Sequence, residues 1–163
     1  KENEEGMILI SGIQVMKGYL NDEEKTSKVL KIINSKIYYI TGDKGKIDED
    51  GFLTIVDRYS RFAKLAGEMI SLGIIEEKIS KLIDLEENNL VDFIITTIED
   101  DKKGEKIILL ISHVNEEYIS LLKEKILNSF ENKLMIPSNI KIIDEVPRLG
   151  SGKKDFAKAK LLV

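Results

Sequence analysis

Arg58-Tyr59-Ser60-Arg61-Phe62-Ala63-Lys64-Leu65-Ala66-Gly67-Glu68-Met69-Ile70-Ser71 is the stretch on which the reading of this chain turns. It sets three cations, Arg58, Arg61 and Lys64, and a glycine within one turn-plus-hairpin span. A solvated loop accounts for the charges but leaves Phe62, Leu65 and Met69, which alternate with them, unexplained. A hairpin is therefore expected that packs one face and presents cations on the other. The pattern changes on either side of this stretch, and a domain boundary is placed near Asp57.

Upstream, residues 7–10 and 13–16 read as short strands, and Asp22 caps a helix expected to run through Ile33, with Glu23 and Glu24 in its first turn. Tyr38-Tyr39-Ile40 follows, then Thr41-Gly42-Asp43. Glu49-Asp50-Gly51 lies between Lys46-Ile47-Asp48 and Phe52-Leu53-Thr54-Ile55-Val56, a hairpin signal. The first third thus reads as mostly antiparallel strand. Downstream, Ser71 caps a helix with Ile74, Ile75, Ile79, Leu82 and Ile83 on its apolar side. Residues 91–98 and 107–113 read as strands around a polar turn over 99–105. Asn115 caps a helix with Tyr118, Leu121, Leu122, Ile126 and Phe130 at helical spacing. A short strand over 140–143, a loop over 147–152 and a final short helix capped by Asp155 complete a small α+β domain of about 100 residues, within the usual range.

Composition narrows the functional classes. Hydrophobic residues are 42% and charged residues 33%, which fits a folded globular chain rather than a disordered one. Absence of Cys excludes disulfides and thiolate metal sites, and fits a reducing compartment. A net charge of -4 argues against general nucleic-acid binding, which needs a basic footprint. Positive charge does gather near the end, where Arg148, Lys153, Lys154, Lys158 and Lys160 face only Asp155. That end can meet a phosphate or an acidic partner protein. No apolar run is long enough for a transmembrane segment, and Lys1-Glu2-Asn3-Glu4-Glu5 lacks the features of a secretion signal. A start at Lys1 rather than Met is what a piece of a longer protein would show.

Three segments carry possible chemistry. Thr41-Gly42-Asp43 reads equally as a turn after a strand or as a carboxylate placed to accept hydrogen bonds from a ribose diol. The cationic hairpin is the second. Leu149-Gly150-Ser151-Gly152-Lys153-Lys154-Asp155 is the third, and it lacks the G-x-x-x-x-G-K-[ST] spacing of a P-loop. It reads either as a frayed tail or as a Gly-Ser tether that delivers a compact cation, Lys153, to another domain. Asp48-Glu49-Asp50-Gly51 fails as a calcium loop because Tyr59 stands where the twelfth-position Glu belongs. His113 is the only His, so no His-metal cluster exists and no metal ligand is assigned.

In order and spacing these segments resemble the adenylate-forming (AMP-binding) superfamily of acyl-CoA synthetases, peptide-synthetase adenylation domains and luciferases. Gly12-Ile13-Gln14-Val15-Met16-Lys17-Gly18-Tyr19-Leu20-Asn21 resembles the segment that precedes the family's Tyr-x-Thr-Gly-Asp, so the likeness covers essentially the whole chain. Residues 62–72 and Leu149-Gly150-Ser151-Gly152-Lys153, followed by Asp155-Phe156, resemble most the bifunctional acyl-acyl-carrier-protein synthetase/2-acylglycerophosphoethanolamine acyltransferase group. Gly67-Glu68-Met69-Ile70-Ser71 counts against a peptide-synthetase adenylation domain.

The resemblance implies that residues 1–57 are the last strands of an N-terminal ATP-binding body, whose phosphate loop and adenine segment are not in this sequence. Residues 58–163 would be the mobile C-terminal domain, which closes in two orientations. Asp43 would hold the ribose hydroxyls of ATP with Thr41 beside it in the same segment, and Arg58 would contact the ribose. Lys153 would serve adenylation. Lys64 and Gly67 would form the face used for thiol transfer, and Ser60 would be the hinge, where the family usually has Asp or Lys. The complete enzyme is expected to use ATP with Mg2+, a fatty acid, and acyl carrier protein or CoA, feeding lysophospholipid reacylation. It would be a cytoplasmic ligase, with the parent protein associated with the cytoplasmic side of a membrane. The chain alone is expected to be inactive and to hold no cofactor. The alternatives are a non-catalytic module that docks a carrier protein, or a piece of another acyl-CoA synthetase.

Overall fold

The computed structural model describes residues 3–83, 90–102 and 104–163. They form two compact units, one up to Arg61 and the other Phe62–Val163. In the first, the long strand β3 (Lys36–Ile47) pairs antiparallel with β1 (Gly6–Ile10), β2 (Leu30–Ile33) and β4 (Leu53–Arg58). The turn into β4 is built by Asp48, whose Oδ1 accepts from the N–H groups of Asp50 and Phe52 while Gly51 takes a φ of 85°. This is the expected hairpin. Helix α1 (Glu23–Val29) starts at the expected cap, Asp22 accepting from the Lys25 N–H.

Two local expectations in this unit are corrected. The α1 helix stops at Val29 rather than Ile33, because residues 30–33 are drawn into strand β2. The two-residue connection Asn34-Ser35 has φ of 49° and 62°, the doubly left-handed turn that matches strand twist, and Asn suits it. Residues 13–16 are not a strand: the chain turns there, the Val15 N–H donating to the Gly12 carbonyl.

The second unit is a sheet in the order β6-β5-β8-β7, with β9 also pairing β8. Its strands are β5 (Phe62–Leu65), β6 (Glu68–Ser71), β7 (Asp92–Asp100), β8 (Gly104–Ser112) and β9 (Asn139–Ile142). β7 and β8 run to the Asp100↔Gly104 pair, beyond the expected ends, so the connection shrinks to three residues. Side chains on a strand alternate between faces, and β8 is apolar on both. Ile107, Leu109 and Ile111 join a core with helices α2 (Leu72–Leu82) and α3 (Glu116–Ser129), through Ile75, Ile79, Ile119, Leu122 and Ile126. Ile108 and Leu110 meet Val146 and Ala159, the latter on helix α4 (Phe156–Lys160), on the opposite face.

The caps are where the sequence placed them: Ser71, Asn115 and Asp155 each accept from a backbone N–H three residues on. The apolar stripes differ in detail. Ile74 and Leu121 are exposed, while Leu72 and Ile119 are buried. A contiguous apolar pair such as Leu121-Leu122 can offer only one member squarely to the sheet, since neighbours on a helix point about 100° apart. Among the described residues, no helix is long and apolar enough to cross a membrane.

Candidate functional site

In the first unit, Thr41, Gly42 and Asp43 lie inside β3, not in a turn after it. Pairing with β1 jumps from Met7↔Lys44 to Leu9↔Ile40, a bulge centred on these residues, and Gly42 takes a φ of 79°. Bulges re-aim side chains next to functional sites. Thr41 fixes this one by donating its hydroxyl to the Ile8 carbonyl at 2.9 Å while accepting from the Asp43 N–H at 3.0 Å. Asp43 is the register partner of Arg58 on β4, and Arg58 Nε donates to Asp43 Oδ1 at 2.9 Å. Thr41, Asp43 and Arg58 are thereby brought together. An ionised carboxylate has about four lone-pair sites, so Asp43 keeps capacity for a diol while the guanidinium orients it. Ser60 stands in a single 3-10 turn, Tyr59–Arg61, at the last residues of this unit.

In the second unit, β5 and β6 form the expected cationic hairpin, with Lys64 opposite Met69. Its packed face is Ala63, Leu65 and Ile70, whereas Met69 is exposed beside Lys64. The expectation that Met69 would pack inward is corrected by the register: a residue directly opposite an outward lysine also points outward. Ala66 and Gly67 make the tip, with φ of 50° and 89°, a conformation natural to Gly and costly to Ala.

Lys153 does not sit on a loose tether. Arg148 bridges to Lys154, the Leu149 N–H donates to the Lys153 carbonyl, and the Asp155 N–H to the Pro147 carbonyl. Arg148 Nη1 also reaches the Gly152 carbonyl at 2.8 Å, while its Nη2 pairs with Asp92 at the start of β7. Lys154 folds back, its Nζ 4.4 Å from the centre of the Phe93 ring, and Lys153 is left exposed. The carbonyl acceptors and the Asp92 carboxylate, 56 residues away, are not readable from local sequence, which is why the loop looked frayed.

The hairpin and the Lys153 loop lie at opposite ends of β8. Leu65 pairs with Gly104 at one end, and Asp92, which anchors Arg148, pairs with Ser112 at the other. Eight strand steps separate these ends by about 27 Å. Among the described residues no group of three or more His, Asp or Glu side chains is placed to hold a metal.

No protein-family model matches the chain. A 4-coumarate–CoA ligase of Nicotiana tabacum is 31% identical over 98% of this chain. The ATP-bound MatB of Rhodopseudomonas palustris superposes over 99% of the chain with a TM-score of 0.78, at 22% identity. The chain has the fold of the C-terminal domain of adenylate-forming enzymes. Its relatives and structural neighbours are adenylate-forming ligases. They include the o-succinylbenzoate–CoA synthetase MenE of Bacillus subtilis, solved with an acyl-adenylate intermediate (24% identity, TM-score 0.68, 98% of this chain). The chain spans 28% of the length of the tobacco ligase and 31% of each of the two solved chains.

One residue at the hairpin was not legible in the sequence: Glu105, whose Oε2 accepts from the Lys64 N–H at 2.6 Å. A single Glu after a turn glycine carries no local signal for that contact, made across 41 positions.

Proposed function

We propose that this chain is the C-terminal part of an ATP-dependent acyl ligase, one that forms an acyl-adenylate and passes the acyl group to a thiol. Residues 1–57 complete the ATP-binding body and residues 58–163 form the domain that reorients about Ser60. A hinge needs only to absorb a backbone rotation, so Ser serves. The observation that carries the reading is the placement of Lys64 and Lys153 at opposite ends of one strand. Two cations so far apart on one rigid unit cannot serve the same reacting centre together, and a two-step reaction with two domain orientations uses them in turn.

In the first step Asp43 accepts from the ribose hydroxyls of ATP, with Arg58 holding its carboxylate. Lys153 stands between the α-phosphate and the attacking carboxylate. Two anions must approach there, and a placed cation stabilises the transition state more than the separated reactants. In the second step the tip at Lys64 and Gly67 faces the adenylate while the thiol attacks. Mg2+ belongs with the triphosphate, since the donor set of the described residues supplies no acidic cluster for it.

The finer reading gives a fatty acid as the substrate and acyl carrier protein or CoA as the thiol, with the product feeding lysophospholipid reacylation. Its support is the similarity of residues 62–72 and of the Lys153 segment to that group. The tobacco relative, named for CoA, favours CoA as the acceptor.

The test uses the full-length protein that carries this region. Lys153→Ala is expected to lower acid-dependent ATP–pyrophosphate exchange by roughly 10²–10³, leaving thiol transfer from a supplied acyl-adenylate nearly intact. Lys64→Ala is expected to do the reverse. Undiminished exchange in Lys153→Ala sinks the reading. Carrier-protein binding with no exchange activity in the complete protein would point to a docking module instead.

A further inference from the structure

Among the described residues, strand β5 meets β8 in one register pair, Leu65↔Gly104, yet it carries Lys64. In the β5–β6 hairpin Leu65 and Glu68 close the two-residue turn, so the next pair, Lys64 opposite Met69, is a non-hydrogen-bonded one and the Lys64 backbone N–H points away from β6. It finds a side chain: it donates to Oε2 of Glu105 at 2.6 Å. The other oxygen, Oε1, accepts from the hydroxyl of Thr97 at 2.7 Å. Thr97 is itself buried on β7, where it pairs with Ile107.

One half-buried carboxylate on β8 therefore links β7 to β5 through its two oxygens, and what it holds is the peptide N–H of the lysine at the hairpin. Hydrogen bonds to an ionised acceptor are about twice as strong as neutral ones. The Ala66-Gly67 tip lies just beyond, so a tilt of β5 about its pairing with β8 would carry Lys64 and the tip with it.

We propose that Glu105 is the positioning residue for the hairpin that bears Lys64 and Gly67, setting the angle at which this tip meets the adenylate. The proposal rests on the reading of that hairpin as the thiol-transfer face. Glu105 touches no reacting atom. It acts through the Lys64 backbone.

Two measurements decide it. In the 163-residue chain, Glu105→Ala is expected to speed hydrogen exchange of the Lys64 amide by about 10-fold or more, the factor implied by losing a hydrogen bond to a charged group. Exchange at Ile94 and Leu109 should stay unchanged. In the full-length protein, the same substitution is expected to lower thiol transfer from a supplied acyl-adenylate by about 10²-fold, as small misplacements do, with ATP–pyrophosphate exchange unaltered. Glu105→Gln keeps an oxygen for the Lys64 N–H and an amide N–H for Thr97, so it should restore both. If Glu105→Ala does not fold, Thr97→Val, close in shape and lacking the hydroxyl, should give the same split in weaker form.

An unaltered Lys64 amide in Glu105→Ala overturns the proposal. So does a loss of both half-reactions together with protection throughout the unit, which would make Glu105 an ordinary fold stabiliser. If Lys64→Ala leaves thiol transfer untouched, the assignment of the hairpin fails instead, and the Lys64 amide still reports whether Glu105 holds the strand.

Discussion

Up to Arg61 only Gly45 is buried among the described residues, whereas Phe62–Val163 encloses a two-faced core around β8 in which Ile75, Ile79, Ile94, Leu109 and Leu110 have no exposed surface. The first unit has no shortage of apolar residues: Leu20, Ile32, Phe52 and Ile55 are 91%, 77%, 71% and 63% exposed. What its described residues lack is a second layer. A sheet must bury an apolar face against another element to be stable, and the one helix described in this unit, α1, has no buried residue. The second unit sandwiches its sheet between α2 and α3 on one side and α4 on the other. The second unit thus has the layers of a whole domain and the first does not, a contrast in keeping with the proposed split between body and mobile domain.

Cutting the chain at the boundary tests this contrast most severely. Residues 62–163 are expected to unfold cooperatively as a separate polypeptide, and residues 1–61 to show neither a cooperative transition nor dispersed amide resonances. Equal behaviour of the two pieces by circular dichroism and NMR would erase the distinction. Single substitutions sharpen it. Leu109→Ala should destabilise the second unit by about 2–5 kcal/mol, the usual cost of a core cavity. Ile32→Ala, at an exposed strand position, should change stability by no more than about 0.5 kcal/mol. Urea titrations of the chain read both.

The smallest effect concerns charge in the first unit. The Lys44 ammonium, hydrogen-bonded to Glu5 at 2.6 Å, holds the Glu5 carboxyl below the usual carboxylate range, its charge adding to the hydrogen bond. Because the folded value is the lower one, this pair stabilises the fold above the unfolded pKa of Glu, and the contribution disappears as pH falls through the folded value. Titration of Glu5 by NMR should show the depression, and Lys44→Ala should remove it. The stability change should be slight, since exposed pairs contribute little.

Caps and periodicity were legible in the sequence because they are local. Asp22, Ser71, Asn115 and Asp155 each bond within three residues of themselves. The hairpin at Glu49-Asp50-Gly51 was legible for the same reason. Features set by distant partners were not. Residues 30–33 have a helical run behind them and become a strand only because β3 is available. The bulge at Thr41 depends on Ile8, the Lys153 loop on Asp92, and the lysine of the hairpin on Glu105. Motif order pointed to Asp43 and Arg58, but only their register across β3 and β4 makes them neighbours.

Strand β8 can also be regarded as a spacer. On the proposed two-step reading, its length sets how far the two lysines stand apart, and hence how large a swing the domain would make when one replaces the other. Lengthening β7 and β8 by two residues each would push the ends apart by about 7 Å without altering a single group at either end. On that reading, the stroke of the domain is written into the number of peptide units in one central strand.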